Sequence, residues 1–87
     1  MQGLTALADP TRQRIVEMLS TGAMSSGDIA RRFDISPPAI SQHLKTLRDA
    51  KLVRVRARAQ KRIYELDPEG IDALAGWITQ IRSLRAS

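Results

Sequence analysis

Between Ser36 and Val53 the residues SPPAISQHLKTLRDAKLV join short hydrogen-bonding side chains to a regular apolar repeat, and alternating arginines follow at once. Ser41 and Gln42 offer donors and acceptors, Lys45 a cation, and Arg54, Arg56, Arg58, Lys61 and Arg62 a run of positive charge. These types suit recognition of a polyanion that displays hydrogen-bonding edges. Gln reads adenine bidentately, and Lys and Arg neutralise phosphates. Catalysis would need other groups. The chain shows no carboxylate pair, no nucleophile with a base beside it and no glycine loop to cradle phosphate. Its one histidine, His43, stands two residues from Ser41, a spacing at which helical side chains do not face each other. An enzyme is therefore not expected.

The elements that must position these groups follow from local rules. Ser36 caps a helix, Pro37 takes its first position, where a missing N–H costs nothing, and Pro38 falls in the first turn. Ile40, Leu44 and Leu47 recur on one helical face, which predicts burial. At about 100° per residue, Pro38, Gln42, Lys45 and Asp49 lie roughly opposite Ile40, with Ala39, Ser41 and Thr46 on the flanks. This outward face is short, polar and partly basic, as insertion into a major groove requires. Upstream, Ser25 or Ser26 caps a helix holding Ile29, Ala30 and Phe33, and Asp34-Ile35-Ser36 turns the chain into the next. Two short helices joined this way form a helix-turn-helix. Earlier still, Asp9 caps and Pro10 opens a helix that buries Ile15, Val16 and Leu19, while Arg12 reads as either a phosphate contact or a surface side chain. His43, about 60° from Ile40, reads as a packed, hydrogen-bonded histidine in preference to a DNA contact.

From Leu52 to Ala59 the residues alternate, with Val53, Val55, Ala57 and Ala59 on one side and Arg54, Arg56 and Arg58 on the other. Period two predicts a strand with one apolar face. Gln60 to Leu66 is the return strand, with Tyr64 and Leu66 sharing a face. The plain alternative for the arginines is a solvated surface. Charge distribution decides between the two readings. Residues 51–66 hold six basic residues against Glu65, whereas residues 1–50 hold six basic and five acidic, and residues 67–87 two and three. The whole formal excess of +5 thus sits in the hairpin beside the helix-turn-helix, which favours phosphate contact.

ALADPTRQRIVEML (Ala6 to Leu19), ISPPAISQHLKTLRDAKLV (Ile35 to Val53) and RIYELD (Arg62 to Asp67) together resemble the second helix, recognition helix and wing of the ArsR family of winged helix-turn-helix regulators. The resemblance covers nearly the whole chain. It implies a mainly α fold with a β-hairpin wing, in the order α-α-α-α-β-β-α, and a homodimeric, sequence-specific DNA-binding regulator of bacterial type, usually a repressor. The expected contacts to double-stranded DNA are Ser36, Pro38, Ala39, Ser41, Gln42 and Lys45 from the helix over 37–49, and Arg54, Arg56, Arg58, Lys61 and Arg62 from the wing. Two departures stand out. Lys51 occupies a position where relatives commonly carry Gly, and Ala59-Gln60 replaces a frequent Gly-Arg at the wing tip. Metal sensing in such proteins uses thiolates before the recognition helix or His and carboxylate clusters on the last helix. Here SSGDIARRF has no thiolate, and the last helix offers Glu69 and Asp72 without histidine. No metal site and no cofactor are expected, and no small-molecule effector is identified.

Composition bounds the rest. Eighty-seven residues, 43% of them apolar, predict one domain over 1–87 with a small core. The absence of Cys excludes disulfides and thiol switches. Without a run of about 18 apolar residues or a signal-peptide pattern, a soluble, cytoplasmic protein with no membrane partner is expected. Asp67 caps a last helix from Pro68 to about Arg85 that carries Ile71, Leu74, Ala75, Trp77, Ile78, Ile81 and Leu84, more than one face of a surface helix needs. One stripe covers the core. The surplus, comprising Leu74, Trp77, Ile78, Ile81 and Leu84 with Leu4 and Leu7, predicts a homodimer interface, in preference to Trp77 merely capping the core. A winged-helix protein-interaction module without specific DNA binding is the competing reading.

Overall fold

The computed structural model describes residues 1–86, with side chains through Leu84. Five helices, α1 (Gln2–Ala6), α2 (Pro10–Leu19), α3 (Ser26–Ala30), α4 (Pro37–Asp49) and α5 (Pro68–Ala86), are joined by a sheet of β1 (Met24–Ser25), β2 (Val53–Arg58) and β3 (Lys61–Leu66) in the order β1-β3-β2. Both pairings are antiparallel. The architecture is the expected winged helix-turn-helix with one addition, the two-residue strand β1, which pairs Met24 with Tyr64 and Ser25 with Ile63.

Side chains fix most helix starts. The Asp9 carboxylate accepts from the Arg12 N–H at 3.1 Å, Ser25 from Asp28 at 3.1 Å, Ser36 from Ala39 at 3.3 Å, and Asp67 from Glu69 at 3.0 Å. The Arg12 backbone N–H, first among several influences, holds the Asp9 carboxyl below its ordinary range. Ser25, not Ser26, is thus the cap of α3. That helix is one turn long, and Phe33 lies beyond it, packed against the core from the connecting turn with the Arg14 guanidinium over its ring at 4.9 Å.

The core gathers Ile15 and Leu19 of α2, Ile29 of α3, Ile40, Leu44 and Leu47 of α4, Leu52, Val53, Tyr64 and Leu74. Each such side chain contributes roughly 1.5–3 kcal/mol when removed from water. Leu74 departs from its expected place in a dimer interface. It is 7% exposed within its own protomer because Gly3, where a Cβ would stand only 3.1 Å from the leucine, lets α1 lie close over it. Leu7 is also half-buried against this core. Among the described residues no helix is long and apolar enough to cross a membrane.

α4 ends in a Schellman motif, in which the Leu52 N–H donates to Leu47 O at 3.0 Å and the Lys51 N–H to Arg48 O at 3.0 Å. Lys51 accordingly has φ 63°, the left-handed region where glycine is favoured. The Lys51 carbonyl then accepts from the Gly70 N–H at 3.0 Å, tying the corner to α5. The wing turns through Ala59 and Gln60, since Arg58 pairs with Lys61, and Ala59 takes φ 56°. The wing's apolar face is genuine at Val53 and Tyr64, with Val55 and Leu66 half-buried against the core, but fades toward the tip: Ala57 and Ala59 are exposed, because the hairpin tip projects past the core.

Candidate nucleic-acid interface

α4 presents its outer face as the periodicity requires. Pro38, Ser41, Gln42 and Lys45 are exposed, whereas Ala39 is half-buried. Ser36 is exposed too, but its hydroxyl is engaged in capping. The prolines shorten the outer face near the helix start, so a base edge could approach Ser41 and Gln42 closely. Gln42 carries an amide with two donors and an acceptor, and among the described residues that side chain forms no hydrogen bond, which leaves it available for a base. Lys45 pairs with Asp49 at 2.9 Å, one turn along. Both side chains are more than half exposed, so the pair is weak and easily exchanged for a phosphate.

His43 faces inward from the same helix. Its Nδ1 stands 3.0 Å from Arg12 Nη1 and 4.0 Å from Asp9 Oδ1, while Arg12 Nε donates to the Ala6 carbonyl at 2.6 Å. The histidine is thus a packed link between α4 and the N-terminal end of α2. Arg12 is committed to that link rather than to a phosphate.

The wing cations divide between two faces, which the strand register determines. Arg54 lies opposite Glu65 and Arg56 opposite Ile63, while Ala57 lies opposite Arg62 and Val55 opposite Tyr64. Successive side chains alternate between sheet faces, so Arg54, Arg56, Arg58, Lys61 and Glu65 share one face and Arg62 shares the other with Tyr64. On the first face Glu65 holds Arg54 Nε at 3.1 Å and Arg56 Nε at 3.8 Å. Arg56, Arg58 and Lys61 border a cleft with Ser25 and Asp28 there. On the second face Arg62 meets α4 across a cleft of about 250 Å³ lined by Ser26, Ser41, Lys45, Arg48, Arg62 and Tyr64. The structure therefore brings Ser41, Lys45 and Arg62 together and leaves Arg54 and Arg56 apart from them. Arg48 escaped the sequence reading, and Ser26 was weighed there only as a helix cap. Arg48 follows Ser41 and Lys45 at i+7 and i+3, the spacing of one helical stripe, and this was its only signal.

The expected dimer face is split. Leu74 is withdrawn into the core, but Leu4, Trp77, Ile78, Ile81 and Leu84 remain between 39% and 66% exposed.

A helix-turn-helix domain family matches residues 7–56. The HTH-type transcriptional regulator Rv2034 of Mycobacterium tuberculosis is 51% identical over 69 residues, 79% of this chain and 64% of that regulator, so the match spans under two thirds of its length. The transcriptional repressor SdpR of Bacillus subtilis is 37% identical over 73 residues, 84% of this chain and 81% of the repressor. Among solved structures, the ArsR family transcriptional regulator RHA00566 superposes with a TM-score of 0.90 at 28% identity, covering 99% of this chain and 94% of that one. With this ancestry and this architecture, the chain belongs to the ArsR family of winged helix-turn-helix transcriptional regulators.

Proposed function

We propose that the protein is a homodimeric repressor that binds a palindromic operator, with α4 in the major groove and the wing along the adjacent backbone. The exposed, unpartnered Gln42 amide on the outer face of α4, beside a hairpin holding the whole net positive charge, carries this reading. Gln42 is the base reader, most naturally for adenine, and Ser41 assists at a base edge or phosphate. Lys45 and Arg62 anchor the backbone, while Arg54, Arg56, Arg58 and Lys61 add positive potential that raises affinity with little sequence information. Repression is supported by the name of SdpR, whose length is largely covered by this chain.

Two copies are supported by the apolar side chains on α5. Trp77, Ile78, Ile81 and Leu84 follow helical spacing and stay exposed beside Leu4, an arrangement costly for a lone protomer. A two-fold pairing through this face would present two α4 helices to half-sites about one helical turn apart. Selection of bound sequences from a random duplex pool tests the reading. A palindromic consensus is the expected result, and recovery of no sequence preference, with loss of all duplex binding at moderate salt, would favour a protein-interaction module instead.

A further inference from the structure

We infer that the cleft between α4 and the inner face of the wing is a seat for one backbone phosphodiester, with Arg48 and Arg62 as its two cations. The inference rests on the DNA-binding reading and assigns a specific ligand group to one part of that surface. Its two cations, Arg48 and Arg62, lie apart from Gln42, the base reader.

The cleft is lined only by groups that can donate: the Ser26 and Ser41 hydroxyls, the Lys45 ammonium, the Arg48 and Arg62 guanidiniums and the Tyr64 phenol. No carboxylate lines it. Lys45 has a weak, exposed partner in Asp49, whereas Arg48 and Arg62 have no carboxylate within ion-pair distance among the described residues. Two guanidiniums held on opposite walls without a counter-ion repel each other and are relieved by an anion between them. Tyr64 adds a second signal. Its ring is buried at 7% exposure, but its hydroxyl reaches solvent at the cleft and has no hydrogen-bond partner among the described residues. The hydroxyl is therefore free to donate to a group entering the cleft.

Position selects a phosphodiester of the duplex as that group. Ser41, Lys45 and Arg48 form one stripe of α4, about 100° round from Gln42 at Ser41, and the wing rises on the far side of the stripe. When Gln42 faces a base edge, the strand bordering the groove must pass between the stripe and the wing, where the cleft lies. Arg54 and Arg56 sit on the other sheet face, held by Glu65, and cannot share this phosphate.

The test uses the full chain, its preferred duplex selected from a random pool and a scrambled duplex, each titrated at several salt concentrations. Arg48→Gln and Arg62→Gln are each expected to weaken both duplexes roughly tenfold, and the double variant, which empties the seat, to lower the salt slope by about two for the dimer, one phosphate per protomer. Circular dichroism and thermal melting establish that each variant is folded. A scan of single neutral methylphosphonate linkages then locates the contact: one linkage per half-site should weaken the wild-type protein and have little further effect on the Arg48→Gln, Arg62→Gln double variant, while other linkages keep their penalties. Wild-type affinity in both folded single variants, a wild-type slope in the folded double variant, or linkage penalties that all persist in the double variant would overturn the seat while leaving DNA binding intact. Absence of wild-type binding to any duplex would overturn the DNA reading and the seat with it. Millimolar inorganic phosphate at constant ionic strength should not compete with DNA, and competition that disappears in Arg48→Gln would reassign the seat to a free anion.

Discussion

Lys51→Gly is expected to stabilise the protein by about 1 kcal/mol, because the Schellman geometry after α4 forces this residue to φ 63°. A side chain at such φ places its Cβ against the following carbonyl oxygen, at a cost of roughly 1–2 kcal/mol that glycine does not incur. The greater unfolded-state freedom of glycine offsets part of that gain. The Lys51 ammonium belongs to an exposed residue and enters no ion pair among the described residues, so its loss removes little. For a protein of this size the gain should appear as a rise in Tm of about 4–8 °C in thermal melts at fixed protein concentration. Lys51→Ala is the decisive control, since it deletes the ammonium but keeps the Cβ. It should leave Tm unchanged or lower it. If Lys51→Ala stabilises as much as Lys51→Gly, the effect is one of charge and the argument from backbone strain is refuted.

Three further outcomes follow from named contacts. Gly70→Ala would put a Cβ 2.1 Å from the Lys51 carbonyl oxygen and should cost at least about 3 kcal/mol, read as a lowered Tm or loss of soluble protein; a melt like that of the wild type would show that this corner gives way easily. Ile78→Glu combined with Ile81→Glu should convert the dimer to a monomer in analytical ultracentrifugation, and an unchanged dimer mass would remove this face of α5 from consideration. Micromolar zinc, cadmium or arsenite should leave DNA affinity unaltered; a saturable weakening reversed by chelator would reveal a ligand set that the cysteine-free sequence hides.

Which features were legible in the sequence depended on how local their causes are. The starts of α2 and α4 were readable because a cap and a proline at the first helical position are neighbours in the chain. The burial of Ile40, Leu44 and Leu47 followed from one helical period. β1 was not legible, since two residues carry no periodicity and Met24 becomes a strand only by pairing with Tyr64, forty positions on. Leu74 was misassigned because α5 is apolar on several sides, and which side docks on the protomer is decided by Gly3 of α1, far away in sequence. The same limit hid the division of the wing. Alternation placed Arg54 and Arg56 on one side, but only the register opposite Glu65 shows them paired, and only the packing of β3 beside α4 shows Arg62 joined by Arg48.

The central claim is that α4 reads sequence through Gln42 while the wing anchors the backbone. It is tested most directly by titrating Gln42→Ala and Arg58→Ala proteins against operator and scrambled duplexes at several salt concentrations. Gln42→Ala should cost about 1–3 kcal/mol on the operator and relax preference at one position in each half-site, with salt dependence nearly unchanged. Arg58→Ala should weaken both duplexes alike and lower the salt slope. If Gln42→Ala weakens both duplexes equally while Arg58→Ala alters sequence preference, the roles of reader and anchor are reversed.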